Sequence, residues 1–367
     1  MTVESHAYSV RLGRVRAALR ARRLHALLVT CPENRRFLSG FTAEDAGIDE
    51  SSGALFITCR QAVLVTDGRY QTQAREEALG WAVRIHKKGI SYEIAALASE
   101  CGARRIGYEP RYLTCHAFDR IRKRLPDGEF IPAGEVVEGM RIVKDAAGLE
   151  AINRAIHAAE DVFGQVHSWI RPGMTEKEIA WRILAGLFAV SEGPSFPPIV
   201  ASGPNAALPH AVPTDRAVQE GEPIIIDMGA RVDGYCSDMT RTVFLGEPDP
   251  AMREIYRLVR SAQLAAENAL RAGITGREAD RTAREIITTG GHGDRFIHAL
   301  GHGVGLAVHE APRLSPRERR MLRSGMVVTV EPGIYLPGVG GVRLEDMVLV
   351  QEGGARVLSR NDWYYEW

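Results

Sequence analysis

The sequence predicts two domains in series, an α/β layer domain over residues 1–140 and an α+β domain over residues 141–367. Three observations carry this expectation. The chain has 367 residues, more than one ordinary core organises, and divides naturally into units of roughly 100 to 200 residues. From 11 to 140, helical and strand patterns alternate, as they do where helices are layered on a sheet. Beyond 140, long amphipathic helices are followed by apolar runs joined by turn chemistry, which is how antiparallel hairpins read.

Taken in order, a helix near Val10 to Arg23, with Leu12, Val15 and Leu19 at helical spacing, leads into a strand at 26–30. A loop around Cys31-Pro32-Glu33-Asn34 follows, then strands at 52–58 and 62–66, a helix at 69–79, a strand at 82–85, a helix from Ser91, a strand at 105–108 and a helix at 113–125. This half has no glycine-rich phosphate loop and no cluster of titratable groups, so it reads as a lid or oligomerisation domain. Pro126-Asp127-Gly128 and Pro132-Ala133-Gly134 bring it to an end near Met140. In the second half, Leu149, Ile152, Ile156, Phe163, Val166 and Ile170 form the stripe of a helix over 145–170. Thr175 and Thr275 each precede a glutamate by three residues, Glu178 and Glu278, and so open helices with capping boxes. A further helix spans roughly 251–271.

Bulk properties exclude several function classes. Lys plus Arg and Asp plus Glu both total 46, a formal net charge of zero, so no global field draws in nucleic acid or an anionic membrane. No apolar run approaches a membrane span or a signal-peptide core. The five cysteines are scattered, without Cys-x-x-Cys spacing, which argues against a disulfide framework or thiolate zinc site and for a reducing cytoplasm. Small neutral or zwitterionic substrates are the natural expectation.

The chemistry concentrates where acids interrupt apolar strands. Residues 222–243, EPIIIDMGARVDGYCSDMTRTV, place Asp227 and Asp238 in an apolar hairpin. If Val232-Asp233 is the loop, the two face each other; if Asp233-Gly234 is, Asp227 faces Thr240, and in both registers the carboxylates share a face. Like charges so placed destabilise a sheet, and a cation is the remedy. His302 sits in the glycine run Gly301-His302-Gly303-Val304-Gly305, and His309 lies seven residues on. Glu331 and Glu345 interrupt the strands 326–335 and 341–350, and a hairpin centred on Gly338 sets them opposite one another. His298 and His292 read as ordinary hydrogen-bonded core histidines. Four carboxylates and one imidazole need about two divalent cations, and an oxygen-rich, thiolate-free shell suits manganese, cobalt, zinc or iron(II) better than copper. Two such ions activate water and polarise a carbonyl, which is machinery for hydrolysis.

Together DMGARVDGYCSDMTRT, GHGVGLAVHE, EPGIY and RLED closely resemble the motifs of the pita-bread metallopeptidases, in the proline-directed branch of Xaa-Pro dipeptidase (prolidase) and aminopeptidase P. The resemblance covers about Asp145 to Val350, and the first half looks like that branch's N-terminal domain. It implies an α/β N-terminal domain followed by an α+β pita-bread (creatinase/aminopeptidase-like) catalytic domain. It also implies that Asp227 binds one metal, His302 and Glu331 the other, and that Asp238 and Glu345 bridge both, with manganese first and cobalt, zinc or iron as alternatives. His210 and His309 match the family's substrate-contacting histidines, and Glu331 its general base. Arg343 would orient a bridging carboxylate, and Tyr335 would support the site or the substrate oxyanion. Arg313 matches the prolidase clamp for a dipeptide's free carboxylate, although Arg317, Arg319, Arg320 and Arg323 follow it in what reads as a basic helix. The implied function is hydrolysis of Xaa-Pro bonds in small peptides with proline in second position, as a dipeptidase, with aminopeptidase P as the alternative and a non-catalytic pita-bread module behind both. The metal-free creatinase-type enzymes would lack several of the five ligands, and methionine aminopeptidase lacks such an N-terminal domain. A homodimer is implied as well.

Overall fold

Among the described residues, six short strands and six α-helices lie in the first of two compact units, Met1–Arg141, and the second is Ile142–Trp367. The computed structural model describes residues 3–45, 47, 50–360 and 363–367. In the first unit the strands are β1 (Ala26–Val29), β2 (Ala54–Thr58), β3 (Ala62–Thr66), β4 (Ala82–Ile85), β5 (Arg105–Tyr108) and β6 (Glu129–Pro132). The helices are α1 (Val3–Ala21), α2 (Pro32–Ser39), α3 (Gln71–Glu77), α4 (Ile90–Glu100), α5 (Cys115–Arg122) and α6 (Glu138–Arg141). The strands form one mixed sheet in the order β4-β3-β2-β1-β5-β6. Leu28, Phe56 and Val65 pack on Ile94 and Leu97 of α4, while Val15 and Leu19 of α1 are fully buried. Three elements differ from the sequence expectation, one of them the short helix α6 at the end of the unit. The segment after Cys31 is a helix, with Pro32 at its first turn, where a missing N–H costs nothing. β6 escapes pattern reading because it is four residues long and ends in proline, a combination tolerated at a sheet edge.

The second unit repeats a pair of helices followed by antiparallel strands. Helices α7 (Ala146–Trp169) and α8 (Glu176–Val190) precede β7 (Ile199–Ser202), β8 (Pro223–Met228), β9 (Arg231–Val232), β10 (Tyr235–Cys236) and β11 (Met239–Phe244). Helices α9 (Pro250–Ala269) and α10 (Gly276–Thr289) precede β12 (Gly301–Gly303), β13 (Glu310–Leu314), β14 (Val327–Val330), β15 (Gly333–Leu336), β16 (Gly340–Arg343), β17 (Asp346–Gln351) and β18 (Gly354–Val357). Both expected capping boxes form, at Thr175/Glu178 and Thr275/Glu278. The strands make sheets β11-β8-β7 and β13-β12-β14-β17-β18, with ribbons β9-β10 and β15-β16. The basic stretch after Arg313 is irregular backbone and turns rather than a helix; Pro316 and the absence of an apolar stripe leave it nothing to bury.

Period-two alternation decides what each strand offers to which side. Ile224, Ile226, Met228, Met239 and Val243 join Phe163, Ile179 and Ile183 under the α7–α8 pair. Val328, Val330, Val348 and Val350 join Val259, Ala262, Ala283 and Ile287 under α9–α10. The intervening positions, among them Asp227, Asp238, Glu331 and Glu345, therefore face away from the helices of their own sheet. No helix among the described residues is long and apolar enough to cross a membrane.

Candidate metal centre

The acids sit where strands change sheets. Asp227 on β8 pairs with Thr240 on β11. The hairpin loop is Asp233-Gly234, both at positive φ (49° and 78°), as a type I′ turn requires. Of the two registers the sequence left open, the structure adopts this one, so Asp227 and Asp238 are diagonal neighbours rather than directly opposed. Glu331 and Glu345 lie between the ladders Val330↔Asp346 and Gly333↔Arg343, which share the register of a hairpin centred on Gly338. The two long strands expected there are each broken at the glutamate. Pro332 has no N–H with which to continue the ladder, and the acids' own N–H groups bond elsewhere: Glu331 to the Leu300 carbonyl at 2.8 Å, Glu345 to the Thr240 carbonyl at 3.0 Å. These cross-links draw β11, β12 and the second hairpin onto one point.

His302 is aimed by a register shift between it and Gly303. A Cβ on Gly301 or Gly303 would collide with the carbonyl of Thr329 or Ala311, so only glycine permits this approach. Nδ1 lies 3.1 Å from the Gly303 carbonyl, which makes it the donor and turns Nε2 toward Glu331 Oε1 at 3.3 Å and Asp238 Oδ2 at 3.6 Å. Ligand atoms of Asp238, His302 and Glu345 all lie within 4.8 Å of one another. Thr240 Oγ1 donates to Glu345 Oε2 at 2.7 Å, and Thr329 Oγ1 to Glu331 Oε1 at 3.0 Å.

Whether these residues suit a metal is answered by what they leave unmade. Asp227 Oδ1 and Glu345 Oε1 are buried with no hydrogen-bond partner, and a buried orphaned acceptor costs about 1–3 kcal/mol. Burial pushes the carboxyls of Asp238 and Glu345 well above the usual range; the charges of Asp227 and Glu331 push both further, and that of Asp238 pushes Glu345 further still. Asp227 is raised too, by burial first, against the Arg343 guanidinium. At Glu331 burial is overcome by the bond to His302 and its charge, which bring the carboxyl down to about 2. Burial lowers the His302 imidazole, but Glu331 and Asp238 outweigh it and lift it to about 9. The protein's own arrangement is thus short of positive charge, and an oxygen-rich shell whose one imidazole would give up its proton to a metal supplies what divalent cations take.

Arg343 is a buried cation wired into the pocket. Its Nη2 pairs with Asp227 Oδ2 at 2.6 Å, Nη1 donates to Tyr335 Oη at 3.0 Å and the Pro209 carbonyl at 3.1 Å, and Nε donates to Thr240 Oγ1 at 3.2 Å. It was expected to orient a bridging carboxylate; it grips Asp227 directly and reaches Glu345 only through Thr240. Tyr335, expected near substrate, is 3% exposed, its hydroxyl held between Arg343 and His298 Nε2 at 2.9 Å. That places it behind Arg343 rather than against a ligand. His298 is therefore tied to the site through Tyr335, which its sequence neighbourhood did not suggest, and Thr240 became visible only once the register put it opposite Asp227. His309 is exposed, with its ring 4.4 Å from that of His302. Burial and the charges of His302, His210 and Arg313 hold its imidazole below the ordinary value, against Glu331. His210 is exposed, following Pro209. Arg313 is exposed on β13, paired in register with His302.

A convergent carboxylate–imidazole shell on this pair of helix-backed antiparallel sheets defines a metallohydrolase of the pita-bread class. The chain belongs to metallopeptidase family M24, which matches residues 150–352, and residues 11–143 match the creatinase/prolidase N-terminal domain. The chain is 37% identical over 311 residues to the Xaa-Pro dipeptidase of Pyrococcus furiosus, covering 84% of this chain and 88% of that protein. Among solved structures it is similar to the Xaa-Pro dipeptidase from Bacillus anthracis, with a TM-score of 0.91, 37% identity and coverage of 97% and 99% of the two chains. It is also similar to an X-Pro aminopeptidase from Thermotoga maritima, with a TM-score of 0.88, 35% identity and coverage of 95% and 97%.

Proposed function

We propose that the protein hydrolyses the bond between an N-terminal residue and proline, and that dipeptides are its preferred substrates. Asp227, Asp238, His302, Glu331 and Glu345 would hold two divalent cations, manganese first. When bound, such ions activate water and polarise the scissile carbonyl. The chain's own residues do the rest. Arg343 and Thr240 fix the angles of Asp227 and Glu345, and Thr329 that of Glu331, which is placed to take a proton during attack. His309, held largely neutral at pH 7, and His210 supply N–H donors for the developing oxyanion. The first unit would act as a lid or in homodimer formation, in a reducing cytoplasm.

One observation favours dipeptides: an exposed guanidinium, that of Arg313, stands in register with His302, where a planar fork can take a C-terminal carboxylate. Relatives named for dipeptidase and for aminopeptidase activity are about equally similar, so the family alone does not choose. Rates on Ala-Pro and Ala-Pro-Pro, with and without Arg313→Ala, test the reading. The expected result is a loss of about tenfold or more in kcat/KM for the dipeptide, mostly in KM, with the tripeptide little changed. An Arg313→Ala enzyme with undiminished dipeptide turnover excludes the clamp.

A further inference from the structure

Behind Glu345, away from the pocket, lies a second buried polar cluster that the hydrolytic reading does not use. Arg241, on β11 beside Thr240, is fully buried. Its Nη1 donates to the Thr240 carbonyl at 3.0 Å and to the Glu345 carbonyl, and its Nη2 to Asp346 Oδ1 at 2.9 Å and the Arg360 carbonyl at 3.3 Å. The other carboxylate oxygen of Asp346 accepts from Tyr364 Oη at 2.7 Å and from Gln263 Nε2 at 3.2 Å. The Tyr364 ring lies under the Arg241 guanidinium at 4.4 Å and the Arg260 guanidinium at 3.5 Å.

We infer that Tyr364, Asp346 and Arg241 form a strut that positions Glu345 for metal binding, so that docking of residues 363–367 helps set the geometry of the centre. Glu345 is held at both of its peptide groups. Its N–H donates to the Thr240 carbonyl, and its carbonyl accepts from Arg241, whose same nitrogen also bonds the Thr240 carbonyl. With Thr240 Oγ1 on the carboxylate, the direction of the side chain follows from where these two backbone segments cross. A guanidinium has no acceptor and a fixed fork, so its aim depends on Asp346. The aim of Asp346 depends in turn on the donors to its other oxygen, the Tyr364 hydroxyl at 2.7 Å and Gln263 Nε2 at 3.2 Å. These three are positioning residues, since none faces the pocket.

The inference rests on Glu345 being a metal ligand, as proposed above. Its test compares two conservative variants of the full chain. Tyr364→Phe keeps the ring under Arg241 and removes only the hydroxyl, with its bond to Asp346 and the one it accepts from Gln263. Tyr365→Phe removes bonds of the same kind from the same segment, at Phe244 on β11, away from Glu345. Chelator-stripped proteins are titrated with manganese by calorimetry, and kcat and KM on Ala-Pro are measured on the loaded enzymes. Tyr364→Phe is expected to weaken manganese about tenfold, the lower end of what supporting residues contribute, and to lower kcat with KM unchanged. Tyr365→Phe is expected to lower the melting temperature by a similar amount with both quantities at wild-type values. Wild-type affinity in Tyr364→Phe, or equal weakening in both variants, overturns the strut while leaving the metal centre standing. Failure of the wild-type chain to bind manganese overturns the metal centre and the strut with it.

Discussion

Glu109 in the first unit and Glu345 in the second are both carboxylates with almost no exposure, at 6% and 2%, and the fold treats them in opposite ways. Glu109 accepts from the N–H groups of Thr30 (2.6 Å) and Cys31 (2.8 Å) and from Asn34 Nδ2 (2.6 Å). Burial raises its carboxyl to about 7, with these three donors pulling it down. Glu345 has one donor, Thr240, an orphaned Oε1 and three acids around it. A buried acid that serves structure is saturated with protein donors. One that serves a metal is left unsaturated, and the cost is carried in the fold until a cation arrives. Glu267 shows a third solution. Burial, then the charge of Asp346 and a hydrogen bond to it, lift its carboxyl to about 8, so it keeps its own proton at neutral pH.

The largest effect expected from breaking this contrast is at Asp238. Asp238→Asn is expected to lower Xaa-Pro hydrolysis by about a thousandfold or more, because water activation is lost with the ion. It should also raise the melting temperature of metal-free protein by relieving like-charge repulsion, and abolish the gain that manganese gives the wild type, about 2.7 kcal/mol at one hundred times Kd. Calorimetric melting with and without manganese checks both signs; a metal-free variant less stable than wild type would count against an unsaturated centre.

Glu109→Ala should do the reverse. It strands three buried donors, at a cost of about 3 kcal/mol or more to the first unit, while manganese affinity stays within twofold of wild type. Urea denaturation and metal titration separate the two, and a fall in metal affinity would mean that the acids are not divided as described.

Glu267→Gln gives the smallest effect and the clearest pH signature. The folded carboxyl titrates near 8 and the unfolded one near 4.5, so the stability it contributes is fully present below about 4.5 and is lost as pH rises through about 8. Glutamine keeps a donor for Asp346 and cannot ionise. The variant should therefore gain at least about 1 kcal/mol over wild type at pH 9 and none at pH 4, as measured by melting curves across that range.

Local signals were legible at once. The stripes of α7 and α9, the two capping boxes and the turn residues of both hairpins depend on neighbours within a few positions. α2 and β6 were missed because one opens with proline after an apolar strand and the other is a four-residue edge. The candidate ligands were conspicuous because acids within apolar runs are costly, and the structure brings Asp238, His302 and Glu345 together. Their partners were not: Arg343 was expected on a bridging acid and lies on Asp227, and His298, read as an ordinary hydrogen-bonded core histidine, bonds Tyr335 beside the site.

The sequence alone determined which residues could carry charge into the core and which face of each strand they would occupy, since alternation along a strand is fixed by its own geometry. Only the tertiary structure decided that the Asp233-Gly234 register was used, that Glu331 and Glu345 break their strands to bond β12 and β11, and that Arg343 and Arg241 flank Glu345 from opposite sides. The arrangement around Glu345 and Arg343 rests on contacts between residues a hundred or more positions apart, as Arg343 is from Asp227. No local pattern encodes which of several possible partners a buried charge will meet.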